Sequence, residues 1–447
     1  MILTAGPSRA CGSACSSLQA VARESLTGIV SSPAARTKPP RRLLQCRSPQ
    51  PPRTTPLSLL QVFSSRAFHS TPKGNSHTPR ISYRVAASSS GKTRRFLPTK
   101  NVYNFNPEIQ DALGVAVDAQ NPALKRKRRP DSGEDAFFVS TVGRSDSTDN
   151  SIAFAVADGV GGWAESRVDP ADFSHALCDY MAQTALAWDH PPEQLRAKSL
   201  LQTGYDLVVA DESVRAGGST ASVGVGLEDG RIELANLGDS GSVLLRHAAV
   251  HHYSIPQTHG FNTPYQLSII PQRMRQQASI FGGAFLEDFP RDAITTTLHM
   301  QHGDILMLAT DGVFDNLNNQ DILKLVTSRM IYTGAWTAST TPNTGIAPSD
   351  HETLNRLTGP EGLSLIPSSA SKPTDTKPAT ASNPHENTLT LQSLLAASIA
   401  GEAKLASMDL RRDSPFAKEA QRYYPGDYYR GGKVDDIAVL VIVAVEE

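Results

Sequence analysis

Residues 151–162 have the sequence SIAFAVADGVGG, in which a short apolar run ends at an Asp-Gly pair. An apolar run of this kind that stops at a turn signal predicts a buried β-strand. Asp158 would then stand where the strand ends, at the rim of a sheet. Gly159 would let the backbone approach another group closely, because glycine has no side chain. The stretch therefore predicts a sheet core with a carboxylate at its edge.

Strand clusters separated by helices follow along the chain. The Asp-Gly pair at 229–230 lies between two β-rich runs and can supply the positive backbone angles of a two-residue turn, which predicts a hairpin. Apolar residues at helical spacing after Asp169-Pro170 predict an amphipathic helix lying on a sheet. Strands are expected at 151–157, 220–227, 231–237, 242–246, 304–309 and 437–445, and helices at 170–188, 193–213, 319–327 and 389–410. This grouping predicts a layered α+β domain.

Carboxylates recur where apolar runs meet turns. They lie at Glu134-Asp135, Asp158-Gly159, Asp311-Gly312 and Asp435-Asp436. Strand ends bring such side chains to the rim of a sheet, where converging carboxylates repel one another unless cations neutralise them. Oxygen ligands favour Mg²⁺ or Mn²⁺ over zinc. A single Asp-Gly pair is a common structural turn, so the prediction of a metal site rests on the whole set.

The same places lie in motifs that resemble the type 2C family of metal-dependent protein phosphatases, the PPM family. The motifs occur in the family's order: GEDA at 133–136, VADGVGG at 156–162, GSTA at 218–221, NLGDS at 236–240, TDGVFD at 310–315 and VDDIAV at 434–439. The resemblance implies a central antiparallel β-sandwich flanked by helix pairs, with two metal ions at one end. It also implies hydrolysis of phosphoserine and phosphothreonine in proteins.

Within the family, the mitochondrial branch of fungal type is the most similar. The shared features are Gly162-Trp163, the stretch QTHGFNTP at 257–264, and Asp315-Asn316-Leu317. This resemblance implies phosphoprotein substrates in the mitochondrion, in the matrix. Relatives of this branch are associated with coenzyme Q biosynthesis, although no residue of the sequence itself demonstrates that link.

The resemblance assigns roles to individual residues. Asp158 would bridge the two ions, the carbonyl of Gly159 would bind one ion, and Asp311 and Asp435 would complete the other. Asp158, Asp311 and Asp435 therefore form the predicted catalytic set, and Asp135 is a further predicted metal ligand. Two Mg²⁺ or Mn²⁺ ions held in this way would activate water for in-line attack on phosphorus.

Four other residues are expected to support these ligands or the substrate. Glu134, Asp315 and Asp436 would surround the metal ligands through water or hydrogen bonds. Relatives orient the phosphate with an Arg just before the acidic pair, and Arg129 is the nearest candidate, with Arg128 as an alternative. Pro130 stands at the position that aligns with this Arg of the relatives. The basic run 125–129 could equally be a solvated surface.

The sequence departs from the family pattern at two places. Many members carry a His after the Asp-Gly turn, proposed to protonate the leaving alkoxide, where this chain has Val160; a His general acid is therefore in doubt. Relatives with a third metal site use an Asp near Thr258, so a third ion is not expected. His259 is interpreted as structural, and Asp239 as part of a turn that its own side chain stabilises.

The charge of the chain is divided unevenly. Residues 1–100 contain 16 Lys or Arg and one acidic residue, Glu24, whereas the later residues contain 27 basic and 43 acidic side chains. A body this acidic has no general electrostatic reason to bind nucleic acid. Cys178 is the one cysteine of the body, which fits a reducing interior. No apolar run is long enough for a membrane-spanning helix. We also expect the protein to be a monomer.

Composition also divides the chain into segments. Residues 1–70 are rich in Arg and Ser and poor in acids, which predicts a mitochondrial transit peptide; the alternative is a basic tail with no targeting role. Residues 71–110 are predicted to be a lead-in and 111–447 the phosphatase domain. Within that domain, residues 335–388 are dominated by Thr, Ser, Pro, Ala and Asn, which predicts a disordered insert.

Two other functions compete with this one. An inactive family member could serve as a binding or scaffold protein, but such a protein would be expected to lack metal carboxylates, and Asp158, Asp311 and Asp435 are all present. A two-metal phosphodiesterase acting on nucleotides is disfavoured by the acidic body and by the lack of His-rich metal motifs. Turnover of a phosphopeptide would indicate the protein phosphatase, and turnover of a nucleotide would indicate the phosphodiesterase.

Overall fold

The computed structural model describes residues 80–109, 111–119, 121–143, 150–280, 285–339, 345–360, 362–363 and 389–447. The predicted transit peptide at 1–70 lies outside these residues. Within them, no helix is long and apolar enough to cross a membrane.

The described chain contains seventeen strands and nine α-helices. The strands are β1 (Ile81–Ser90), β2 (Val102–Asn104), β3 (Asp135–Thr141), β4 (Ile152–Asp158), β5 (Gly217–Ser219), β6 (Ala221–Gly226), β7 (Arg231–Leu237), β8 (Gly241–Arg246), β9 (Ala249–Tyr253), β10 (Thr258–Gly260), β11 (Thr263–Pro264), β12 (Leu267–Ile269), β13 (Ile294–His299), β14 (Ile305–Ala309), β15 (Trp336–Ala338), β16 (Ile346–Pro348) and β17 (Ile437–Glu446). The helices are α1 (Pro122–Arg128), α2 (Pro170–Leu186), α3 (Ala197–Ala210), α4 (Gln272–Ile280), α5 (Asp311–Phe314), α6 (Asn319–Tyr332), α7 (His351–Thr358), α8 (Leu391–Met408) and α9 (Pro415–Tyr423).

Two antiparallel sheets form the centre of the domain. One has the order β2-β1-β17-β14-β8-β9 and the other the order β13-β7-β6-β4-β3. Side chains from both sheets share one buried cluster, in which Phe137 and Phe154 of the second sheet lie with Leu306 and Leu440 of the first. Because facing strands bury their inner side chains against each other, this cluster is the core of a β-sandwich.

A pair of helices covers the outer face of each sheet. Phe173 and Leu177 of α2 and Leu200 of α3 are buried against the sheet that contains β4. Helices α6 and α8 cover the other sheet, where Ile399 is buried with Val441 of β17. The predicted α+β sandwich with flanking helix pairs is therefore confirmed.

Several predicted elements have the expected positions. Helix α2 begins at Pro170, and the Asp169 side chain accepts a hydrogen bond from the Ala171 N–H, as expected of an N-cap. Strands β6 and β7 form the predicted hairpin, with Gly230 at a φ of +86° in the turn. Cys178 is fully buried within α2, as expected of a small core residue.

The domain begins earlier than the sequence predicted. Strand β1 pairs with β17 along its whole length, from Ile81 opposite Glu446 to Ser90 opposite Ile437. Part of the predicted lead-in at 71–110 is therefore a central strand of the sandwich, and the predicted start at residue 111 is too late. The end of β1, Ser88 to Ser90, is polar, so its composition does not predict a buried strand. These residues are buried because β17 and β2 lie beside them.

The predicted disordered insert at 335–388 is wrong for its first part. Strands β15 and β16 pair there, and α7 follows them. Trp336 is fully buried, and its Nε1–H donates a hydrogen bond of 2.9 Å to the carbonyl of Gly303. One large aromatic side chain thus anchors a segment whose composition suggests disorder. Residues 364–388 lie outside the described part of the chain.

Candidate active site

Two of the predicted site residues face each other across neighbouring strands. Asp135 begins β3, Asp158 ends β4, and the antiparallel register places them opposite each other. The turn after Asp158 is held by the next strand pair: the Thr220 N–H donates to the Asp158 carbonyl at 3.0 Å, and the Ser219 hydroxyl donates to it at 2.8 Å. At Gly159 a side chain would collide with the carbonyl oxygens of Glu134 and Pro170, so the turn requires glycine.

Asp311 reaches the same place from the other sheet. It follows β14 and begins the short helix α5. The preceding residue, Thr310, donates its hydroxyl to Asp135 Oδ2 at 2.7 Å, which ties the two sheets together at the site. Asp315 lies one helical turn further on, and its N–H donates to the Asp311 carbonyl at 2.8 Å.

Asp239 joins this group, although the sequence interpretation made it a structural turn residue. Carboxylate oxygens of Asp158, Asp239 and Asp311 all lie within 4.8 Å of one another. Asp239 Oδ1 is buried, with no hydrogen-bond partner among the described residues. The available signal was its position after a strand and next to a glycine, Gly238 at a φ of +97°, which matches the pattern of the other acidic sites.

Burial and mutual repulsion raise the pKa values of these acids. Burial is the main cause for Asp135, Asp158 and Asp239, whose pKa values lie well above the ordinary value of aspartate, and neighbouring carboxylates add to it. Burial, together with the charges of Asp311 and Asp435, raises the pKa of Asp315 to about 7. The folded protein therefore holds several carboxylates in an arrangement that a cation would stabilise.

Lys433 supplies one cation to this cluster. Its Nζ lies 2.6 Å from Asp311 Oδ2, 2.7 Å from Asp315 Oδ2 and 3.1 Å from Asp435 Oδ2. Burial alone would lower the pKa of Lys433, but the surrounding carboxylates hold it well above its usual value. Sequence analysis did not single out Lys433, because a lysine two residues before an aspartate carries no signal of its own.

Asp436 connects the acidic cluster to a second basic residue. Its Oδ2 accepts from the Glu134 N–H at 2.8 Å, and its Oδ1 accepts from the backbone N–H of Lys92. The Lys92 Nζ lies 2.9 Å from Glu134 Oε2. Asp436 therefore holds the backbone of two loops beside the site, and its role in supporting the metal ligands stays a prediction.

Arg129 pairs with acidic residues of another element. Its guanidinium lies 2.8 Å from Asp172 Oδ1 and 3.9 Å from Asp169 Oδ2, both at the start of α2. Lys125 and Arg126 of the same run also pair with acidic residues of α2. These ion pairs fasten α1 to α2, and the phosphate-binding role of Arg129 stays a prediction.

The residues beside the Asp-Gly turn form an apolar wall. Val160 packs with Trp163, Ala216 and Ile270. Trp163 is buried, which makes it a packing residue. His259 is stacked on Tyr265, and its Nε2 lies 2.9 Å from Asp288 Oδ2, as expected of a structural histidine.

The chemistry of the cluster fits divalent metal ions. All the side-chain donors are carboxylate oxygens, and buried aspartates at this density are stabilised by hard cations such as Mg²⁺ or Mn²⁺. Asp239 Oδ1 offers a buried acceptor with no partner among the described residues. Such ions, when bound, would supply electrostatic stabilisation and an activated water.

The chain is similar in sequence to known proteins of one family. The sequence profile described as Protein phosphatase 2C matches residues 128–341. Protein phosphatase 2C homolog 7, mitochondrial, of Saccharomyces cerevisiae is 37% identical over 268 residues, which cover 58% of this chain and 73% of the yeast protein. The 5-azacytidine resistance protein azr1 of Schizosaccharomyces pombe is 30% identical over 316 residues, which cover 70% of this chain and 82% of that protein.

This chain belongs to the protein phosphatase 2C family of metal-dependent protein serine/threonine phosphatases. Its relatives include the mitochondrial yeast protein, which agrees with the predicted branch. Protein phosphatase PTC7 homolog of Danio rerio is also 37% identical, over 220 residues that cover 48% of this chain and 67% of the fish protein.

Solved structures show more distant likeness. The photosystem II phosphatase PBCP is 24% identical with a TM-score of 0.45, covering 70% of this chain and 91% of that one. The catalytic domain of PstP, solved in complex with 2 manganese ions, is 13% identical with a TM-score of 0.37, covering 82% of this chain and 99% of that one. The fold assignment therefore rests on the sheets and helix layers of this chain itself.

Proposed function

We propose that this protein hydrolyses phosphoserine and phosphothreonine in mitochondrial proteins, using two Mn²⁺ or Mg²⁺ ions. The observation that carries the proposal is the convergence of Asp158, Asp239 and Asp311 within 4.8 Å, from three different strand ends of two sheets. Three carboxylates at one position are suited to bind a divalent ion, and such an ion would bind a phosphate ester and activate water to attack it.

The proposed roles are those that the family resemblance assigns. Asp158 would bridge the ions, while Asp311 and Asp435 would hold one of them. The Gly159 carbonyl and Asp135 would complete the set, and Glu134, Asp315 and Asp436 would support it. The choice of Mn²⁺ or Mg²⁺ rests on the carboxylate and carbonyl oxygens, which are the ligands that these hard cations prefer.

The proposal includes the location of the enzyme and its substrates. The mitochondrial name of the yeast relative and the Arg-rich, acid-poor first 70 residues support the mitochondrion. We place the enzyme in the matrix, acting on phosphoproteins as a monomer, with a connection to coenzyme Q biosynthesis. Fractionation of mitochondria with protease protection tests the matrix location.

The activity is tested by release of phosphate from a phosphothreonine peptide. The full chain should turn the peptide over with Mn²⁺ or Mg²⁺ and lose turnover with a chelator, and Asp311→Asn should abolish it. Exposed Asp427 makes Asp427→Asn a control that keeps activity. Absence of turnover by a folded, Mn²⁺-loaded protein on several phosphopeptides would favour the scaffold function instead. A nucleotide diester assayed in parallel tests the phosphodiesterase alternative.

A further inference from the structure

A basic side chain beside the metal site would add charge-assisted hydrogen bonds to a bound phosphate, and two candidates for this role are already enclosed by carboxylates. Arg129 lies between Asp169 and Asp172, and its side chain is only 20% exposed. Lys433 is enclosed by three carboxylates and is only 16% exposed. Pro130, at the aligned position, has no charge.

Lys92 lies at the rim of the acidic cluster, has one carboxylate within hydrogen-bond distance and is partly exposed to solvent. Its side chain is 40% exposed, and its Nζ lies 2.9 Å from Glu134 Oε2 and 4.0 Å from Asp436 Oδ2. Glu134 in turn reaches the Asp-Gly turn, since a Cβ on Gly161 would stand 3.1 Å from Glu134 Oε2. The Lys92 ammonium is thus positioned beside the turn that carries Asp158, with part of its surface free to meet a ligand.

The backbone of Lys92 is fixed in place by two charged residues. Its N–H donates to Asp436 Oδ1, and its carbonyl accepts a hydrogen bond of 3.0 Å from the Lys404 Nζ. Lys404 also donates to the Gly91 carbonyl at 2.8 Å. A side chain that projects from an anchored backbone loses less conformational freedom when it binds a ligand.

We propose that Lys92 is the residue that binds the substrate phosphate, in the role that the sequence assigned to Arg129. An ammonium has three donors, of which one is directed to Glu134, so the others are available to phosphate oxygens. The inference rests on the proposed phosphatase function, because the phosphate is that of the substrate ester. Lys92 would act as a point charge, where a guanidinium would form a planar two-bond contact.

The test compares Lys92→Met and Lys92→Arg with two other variants of the full chain. Arg95→Met removes an exposed cation from the same segment, and Arg129→Met removes the alternative candidate. The readouts are KM and kcat for a phosphothreonine peptide, the inhibition constant of inorganic phosphate, and the Mn²⁺ affinity by calorimetry. Charge-assisted hydrogen bonds predict that Lys92→Met weakens phosphate inhibition and raises KM by roughly 10- to 100-fold.

Several results separate this role from a structural one. Lys92→Arg should recover part of the phosphate affinity, Arg95→Met should match the wild type, and Mn²⁺ affinity should change little in any of the four. The proposal would be overturned if the inhibition constant of phosphate were unchanged in Lys92→Met, or if it rose more in Arg129→Met than in Lys92→Met. If Lys92→Met lost Mn²⁺ affinity by the same factor as phosphate affinity, the proposal would also be overturned, because that result would mean that Lys92 acts by positioning Glu134.

A second measurement keeps the inference independent of turnover. Calorimetric titration of the Mn²⁺-loaded protein with inorganic phosphate should give weaker binding for Lys92→Met than for the wild type. If the wild type binds phosphate more tightly than Lys92→Met but turns over no phosphopeptide, the proposed function fails, and Lys92 is still identified as a phosphate-binding residue. If the wild type turns over phosphopeptide and both proteins bind phosphate equally, only the Lys92 inference fails. If Lys92→Met does not fold, Lys92→Gln takes its place in both experiments.

Discussion

Replacing Lys433 with methionine should destabilise the metal-free protein and strengthen its binding of metal. The Lys433 ammonium contacts Asp311, Asp315 and Asp435 at 3.1 Å or less. Without it, the three carboxylates keep their mutual repulsion while the compensating charge is lost. Methionine retains much of the side-chain volume, so the change is chiefly electrostatic.

The size of the effect follows from the burial of the group. Removal of one partner from a buried ion pair costs about 3–5 kcal/mol. Because Lys433 keeps 16% of its side-chain exposure, we take the lower end, about 3 kcal/mol. Because the entropy of unfolding grows with chain length, each kcal/mol shifts the melting temperature of a domain this large by only about 1–2 °C, so the apo-protein melting temperature should fall by roughly 3–6 °C.

Metal ions should remove most of that cost, since they neutralise the same carboxylates. By linkage, the free energy recovered appears as tighter metal binding, and about 3 kcal/mol corresponds to roughly 100-fold in the dissociation constant of Mn²⁺. The assays are thermal unfolding with chelator and with saturating Mn²⁺, and calorimetric titration of Mn²⁺. They are best carried out at pH 8 or above, because the pKa of Asp315 is about 7 with Lys433 present and rises further when Lys433 is removed, and a proton taken up by Asp315 would reduce the effect.

Lys418→Met is the matched control. Lys418 pairs with Asp413 at 3.5 Å, and both side chains are about 60% exposed. Exposed ion pairs contribute about 0–1 kcal/mol, so this variant should keep the wild-type melting temperature and Mn²⁺ affinity. Equal apo-state melting temperatures for Lys433→Met and the wild type would refute the reasoning, as would an equal loss of stability with and without Mn²⁺.

Three further predictions concern pH, the insert and the site backbone. Burial raises the pKa values of Asp135 and Asp315 above 3.8, the latter to about 7, so the contribution of these two groups to the stability of the metal-free fold is greatest at low pH and is lost as pH rises through their folded-state pKa values. The melting-temperature gain from Mn²⁺ should therefore grow between about pH 5 and 8, and a constant gain in thermal scans would contradict this. Trp336→Ala should cost about 3–5 kcal/mol in denaturant unfolding and Trp336→Phe clearly less; wild-type stability of the alanine variant would show that the segment is not part of the core. Gly312→Ala should lower both turnover and melting temperature, because its Cβ would stand 1.9 Å from the Asp436 carbonyl oxygen. Gly162→Ala is the control and should fold normally, because a Cβ there meets nothing within 4 Å. A fully active Gly312→Ala enzyme would contradict this prediction.

The sequence by itself determined the local elements and the acids at their ends. Apolar runs and Asp-Gly turns fixed strand β4, the β6–β7 hairpin and the N-cap of α2, because periodicity and turn chemistry act over a few residues. The same local signals located Asp158, Asp311 and Asp435. The order of the motifs then indicated the family and its sandwich before any contact was known.

Other features required the tertiary structure, because they depend on residues far apart in the chain. Strand β1 is a core strand only because β17 pairs with it, and Trp336 is buried only because Gly303 and its neighbours lie over it. Lys433 and Lys92 carry no local signal, and their importance comes from carboxylates that three-dimensional folding brings to them. Asp239 had the same strand-end pattern as the other acids, but only the closure of the two sheets placed it within 4.8 Å of Asp158 and Asp311.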